Sequence, residues 1–111
     1  MKKFLILYRS SVSAAEQIAK ANPEQAKAGM ELWMNWSKKN GQSIVDMGAP
    51  LGNDIHINAS SNVRGESHIT GFSILQAESI DAVKKIMDGH PHFHAPNGSI
   101  EVLEFLQMPG M

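Results

Sequence analysis

The chain has 111 residues, 42% hydrophobic and 19% charged, with a formal net charge of −1 at pH 7 when histidine is neutral. That length and balance describe one globular domain with a single modest core, and they exclude a disordered chain. The ten lysines and arginines are scattered, so no basic stripe marks a nucleic-acid partner, and the absence of cysteine removes disulfides, thiolate nucleophiles and cysteine-bound zinc.

The N-terminus reads Met1-Lys2-Lys3 and then the apolar run Phe4-Leu5-Ile6-Leu7-Tyr8. This run is too short for a secretory signal core or a membrane span, so it predicts a strand over 2–9, a cytoplasmic address and no membrane partner. Because it does not alternate, the strand needs cover on both faces. Residues 13–21 carry Ser13 and Glu16 at capping-box spacing, which predicts a short helical turn.

A stronger helix begins at Asn22, which can cap, with Pro23 at the first helical position and Gln25 completing the box. Ala26, Met30, Trp33, Met34 and Ser37 follow at helical spacing as an apolar stripe, with Leu32 and Trp36 beside it. Lys38 and Lys39 suit the negative end of the helix dipole, and Gly41 suits a left-handed stop.

Residues 43–47 predict a short strand before a turn at Gly48-Ala49-Pro50. Residues 49–68 read as a long, turn-rich connection, broken by a short strand at 54–57; loops of that length are often functional. Residues 69–76 predict a strand. Ser79 caps a helix with Ile80, Val83, Ile86 and Met87 on one face, ended by Gly89 and Pro91, and residues 100–106 form the last strand.

Strand, helix, strand, strand, helix, strand is the order of a ferredoxin-like α+β domain, βαββαβ, with a four-stranded antiparallel sheet and helices on one face. Residues 4–8 do not alternate and residues 102–106 alternate poorly, so the uncovered face of the sheet also asks for burial. A second copy of the chain is the simplest cover, which predicts a homodimer.

Several segments carry a family resemblance: the Gly48-Ala49-Pro50-Leu51-Gly52 turn, Asp88-Gly89-His90-Pro91-His92-Phe93, and the closing Ser99-Ile100-Glu101-Val102-Leu103-Glu104-Phe105. With the element order, they resemble the YCII-related group over nearly the whole chain. The resemblance implies a dimeric α/β barrel: two ferredoxin-like subunits with sheets face to face, and a small pocket beside each sheet. Most members of the group have no assigned activity, and a related branch removes chloride from a muconolactone-type ring without a cofactor. Members often carry a His on the first helix and an Asp-Pro-Phe or Asp-Pro-Tyr after the second, proposed as a His–Asp pair. Here His90 stands at the Asp position, followed by Pro91 and His92, and the helical His position falls at Met30 or Glu31. The family pair is therefore either absent or inverted, with Glu31 as carboxylate and His90 as imidazole.

His90, His92 and His94 are spaced by two, and an extended segment would point all three the same way. Imidazole titrates near neutrality, which makes His90 the acid/base candidate, with Glu31 or Asp88 to orient it. Trp33, His92 and His94 are candidate ligand contacts. The competing structural reading puts Trp33 in the core and Trp36 at an edge or interface. Three convergent histidines also raise a zinc site, although the pattern lacks an acidic ligand and Pro91 bends it. His56 and His68 in the long loop either approach the same pocket or stay solvated. Asp46 and Arg64 are lone polar residues, and no glycine-rich phosphate loop supports a nucleotide cofactor.

The leading expectation is a cofactor-independent enzyme using histidine acid/base chemistry on a small cyclic or carbonyl-bearing molecule. The alternatives are a non-catalytic dimeric module for a small ligand or protein partner, and a histidine-bound metal site.

Overall fold

The computed structural model describes residues 1–65 and 67–110. Among them, six strands and three helices follow in the order β1 (Lys2–Arg9), α1 (Ala14–Lys20), α2 (Pro23–Lys39), β2 (Ile44–Pro50), β3 (Ile55–Ile57), β4 (Asn62–Arg64), β5 (Ile69–Ala77), α3 (Ile80–Met87) and β6 (Ser99–Glu104). The main sheet is antiparallel with order β2-β5-β1-β6, so the first strand and the strand before α3 lie at its centre. This is the expected ferredoxin-like α+β topology.

Alternation along β1 sorts its side chains into two sets. Phe4, Ile6 and Tyr8 are buried against the helices, whereas Leu5 and Leu7 lie half-buried on the other face. The core joins Phe4, Ile6 and Leu75 of the sheet to Trp36 of α2 and to Val83 and Met87 of α3. On the open face the register sets Leu5 opposite Ile74 and Leu103, and Leu7 opposite Phe72. No helix among the described residues is long and apolar enough to cross a membrane.

Helix starts follow the local chemistry. Ser13 accepts from the Glu16 N–H and Ser79 from the Ala82 N–H, while Asn22 and Gln25 form both bonds of the capping box. Gly89, with φ of +68°, sends the chain out of α3 through a left-handed residue.

Four local expectations are corrected. The inward face of α2 is Trp33 and Trp36, with Met30 and Met34 exposed, because the helix meets the fold mainly at the Pro91–His94 turn rather than along its length. Helix α2 ends at Asn40, whose amide side chain donates back to the Trp36 carbonyl, and Gly41 opens a 3₁₀ turn instead of taking a left-handed stop. Strand β2 runs on through Gly48 to Pro50: the Asp46 side chain accepts from the Gly48 N–H, and Ala49 and Pro50 keep register with Phe72 and Gly71. An edge strand tolerates this proline, whose missing N–H faces no neighbour. The 49–68 connection contains a hairpin, β3 with β4, turned around the Asn58 side chain, which accepts from the Ser60 and Ser61 N–H groups.

Candidate functional site

The polar residues that the fold does bury meet where β1 ends beneath α2. After Gly89 the chain turns at His90 and winds into a 3₁₀ helix over Pro91–His94. The backbone N–H of His92 donates to His90 Nδ1 at 2.9 Å, so His90 caps this turn with its ring. Proline at the next position presets the turn. The 3₁₀ winding also breaks the expectation that three histidines point one way. His90 and His92 are buried and His94 is exposed, so His94 is not brought to the site. Among the described residues no three His, Asp or Glu side chains gather as a metal site.

His90 is 1% exposed and ringed by aromatics. Tyr8 stacks on it with centroids 5.0 Å apart, Trp33 meets it edge-on at 4.6 Å, and Trp36 at 4.4 Å. Trp36 is fixed by its indole N–H, which donates to the Ile86 carbonyl at 3.1 Å and ties α2 to α3. Trp33 is only half-buried and forms the outer side of the enclosure. Both tryptophans thus reach the histidine, Trp33 at the rim and Trp36 in the core, the reverse of the expected division between them.

Proton positions follow from the partners. Nδ1 of His90 accepts a backbone N–H, so the neutral ring carries its proton on Nε2. Nε2 is buried and has no hydrogen-bond partner among the described residues. Burial, and then the neighbouring His92, push the His90 pKa down to about 4, so the ring is neutral at pH 7. His92 Nε2 lies 2.6 Å from the Arg9 carbonyl, and since a carbonyl only accepts, that nitrogen is protonated. This bond fastens the turn to the end of β1.

Tyr8 extends the network into the sheet. Ser73 Oγ donates to the Met47 carbonyl at 2.7 Å, which leaves the Tyr8 hydroxyl to donate to Ser73 Oγ at 2.8 Å. Burial raises the Tyr8 pKa to about 12 against the lowering effect of the Ser73 bond, so the phenol stays protonated.

The carboxylates expected to orient His90 are elsewhere. Glu31 and Asp88 are exposed, and neither bonds the imidazole; the orienting group is the His92 backbone amide. His56 is exposed on β3 opposite Val63. His68 lines an open depression of about 260 Å³ with Arg9, Ser10, Ser11, Asn97 and Ser99, separate from the enclosure around His90. Arg9 in that depression is paired with Glu101 at 3.0 Å. Asp46 serves the β2 irregularity, and Arg64 is exposed on β4.

Sequence reasoning missed Tyr8 and Ser73. The signal for Tyr8 was its position two and four residues after Ile6 and Phe4, on the same side of the strand; that for Ser73 was a small polar residue in phase with the buried Leu75.

No protein-family model matches the chain, and no curated protein matches it in sequence. Among solved structures, the fold is similar to that of 5-chloro-2-hydroxyhydroquinone dehydrochlorinase (TftG) from Burkholderia phenoliruptrix AC1100, determined in complex with 2,5-dihydroxybenzoquinone. The TM-score is 0.54 and the identity 16%, over 97% of this chain and 96% of that one. The likeness is one of fold: a ferredoxin-like α+β chain that matches a dehydrochlorinase almost end to end.

Proposed function

We propose that the chain is the subunit of a homodimer that takes a small cyclic or carbonyl-bearing molecule beside His90 and acts on it by histidine acid/base chemistry without a cofactor. The observation that carries this reading is the unpartnered Nε2 of His90. An unsatisfied buried polar group costs about 1–3 kcal/mol, and such groups are otherwise rare in folded chains. A group that meets a ligand during function accounts for that cost. The aromatic rings around it favour a flat, apolar molecule with one polar feature. The structurally similar dehydrochlorinase, whose named ligand is a dihydroxybenzoquinone, makes that class a reasonable starting point.

Pairing is supported by the open face of the sheet. Leu5, Leu7, Phe72, Ile74 and Leu103 share that face and none of them is fully buried, so the chain by itself leaves a contiguous apolar patch in contact with water. The chain is also thin: its extents are 44 × 44 × 19 Å and its radius of gyration is 15.4 Å, against about 13 Å for a compact chain of this length. The thin direction holds one sheet and one helix layer, and a second sheet packed on the first completes a core.

The reading is tested by titrating 2,5-dihydroxybenzoquinone and simple unsaturated lactones into wild type, His90→Ala and His90→Gln. Thermal shift and product formation are followed together, with sedimentation velocity on the same samples. Saturable binding and turnover by a dimer, lost in His90→Ala, is the expected result. Binding without product would favour the non-catalytic module. A monomer that binds none of these compounds would end the proposal.

A further inference from the structure

The bonds around His90 specify which way its proton chemistry runs. A general base needs a free lone pair, and the ring's only lone pair, on Nδ1, is occupied by the His92 N–H at 2.9 Å. That donor cannot be displaced without uncapping the Pro91–His94 turn and loosening the His92 bond to the Arg9 carbonyl. What remains to a ligand is Nε2–H, a buried donor with no acceptor among the described residues.

We infer that His90 works as a neutral hydrogen-bond donor, and that the molecule recognised here is a planar ring whose carbonyl or enolate oxygen accepts from Nε2–H. This rests on the small-molecule reading above, keeps only the donor side of its histidine chemistry, and narrows it to acceptor ligands, excluding ammonium groups and other pure donors. The surroundings of the imidazole agree. Tyr8, Trp33 and Trp36 surround the imidazole with ring faces and edges that suit a flat π-system. The Tyr8 hydroxyl is committed to Ser73, so it does not compete for the ligand's oxygen. A donor aimed at a carbonyl stabilises negative charge growing on that oxygen in any step through an enolate, and burial strengthens the effect. A neutral donor does this without holding a cation in an apolar enclosure. Trp33 is the only half-buried member of the ring cluster, and it is carried by a helix whose main contact is the His90 turn itself, so a ligand reaching Nε2 would have to pass it.

Two-bond ¹H–¹⁵N correlation of labelled full-length protein reads the tautomer directly. The expected spectrum shows His90 with a protonated Nε2 and a bare Nδ1 from pH 7 down to pH 5. A protonated Nδ1, or a ring already cationic at pH 6, would overturn the inference. The second measurement compares 4-pyranone, a flat ring with acceptors only, with aniline, a flat ring whose amino group donates well and, with its lone pair delocalised into the ring, accepts only weakly, using the same ¹⁵N shifts. Pyranone should bind on the order of tenfold tighter than aniline, the size of one hydrogen bond in a buried site. His90→Asn keeps an oxygen where Nδ1 caps the turn but stops short of the Nε2 position, and it should lose about that factor. His90→Gln places an amide N–H near the Nε2 position and should recover part of it. If aniline binds as well as pyranone and both move the His90 signals, the site stands and the donor role falls. If neither ring binds, the small-molecule reading fails and takes this inference with it.

Discussion

The hydroxyl of Tyr8 donates to Ser73 Oγ across two adjacent strands, and the serine hydroxyl in turn donates to the Met47 carbonyl. The relay joins three strands beneath the His90 enclosure: β1, β5 and β2. It also sets the ring plane on which the imidazole stacks.

Ser73 is fully buried, so Ser73→Ala strips the Tyr8 hydroxyl of its acceptor and the Met47 carbonyl of its donor. The loss should be about 1–3 kcal/mol in chemical denaturation. Adding Tyr8→Phe removes the orphaned hydroxyl and should restore part of that loss. Additive effects in the double-mutant cycle would show that the two groups are not coupled.

His90 supplies an acid limb to stability. Its folded pKa is about 4 against 6.5 for a histidine in the unfolded chain, so between those values the unfolded chain binds more protons than the folded one. The stabilising effect is complete above pH 6.5 and is lost as the pH falls through about 4. The shift corresponds to about 3 kcal/mol at its limit. Urea midpoints measured from pH 7 to pH 4 should fall more steeply for wild type than for His90→Asn, which has no titrating ring. Parallel curves would mean that the imidazole does not stay neutral.

Two glycines should respond in opposite directions to alanine. Gly48 has φ of +80°, and a methyl group there runs into the Phe72 carbonyl that β2 must approach. Gly48→Ala should therefore cost at least about 2 kcal/mol. Gly29 lies inside α2 with open space around its Cα, and Gly29→Ala should stabilise by roughly 1 kcal/mol. Melting temperatures of the pair would check both signs.

Leu7 is the central probe of the open sheet face, opposite Phe72 on one side and Glu101 on the other. Leu7→Asp leaves the helix-side core untouched and places a charge where a second sheet would pack. It should turn a dimer into a monomer in analytical ultracentrifugation while far-ultraviolet circular dichroism stays unchanged. A dimer that survives the substitution would place the interface elsewhere.

Local chemistry was legible along most of the chain. The Asn22–Gln25 capping box, the Ser13 and Ser79 caps, the left-handed Gly89 and the element order all depend on residues close in sequence, and the structure carries each of them. The apolar run Phe4–Tyr8 likewise announced a strand with apolar side chains on both of its faces, and β1 carries them, Phe4, Ile6 and Tyr8 on one and Leu5 and Leu7 on the other. The same reasoning failed on α2. Helical spacing alone cannot tell which of two apolar faces meets the sheet, and Trp36 rather than Met30 and Met34 turned inward, where it packs with Trp33 against His90.

The candidate site divides in the same way. That His90 stands at a turn could be read from the letters, since it lies beside Pro91 and after a helix-ending glycine. Its state could not. The 3₁₀ winding turned His94 outward, a backbone amide took the place offered to Glu31 or Asp88, and Tyr8 of β1 closed around the ring with Trp33 and Trp36 of α2. Capping and strand propensity act over a few residues and are written in the chain. Burial, tautomer and proton affinity depend on groups many residues apart, and they exist only once the packing brings those groups together.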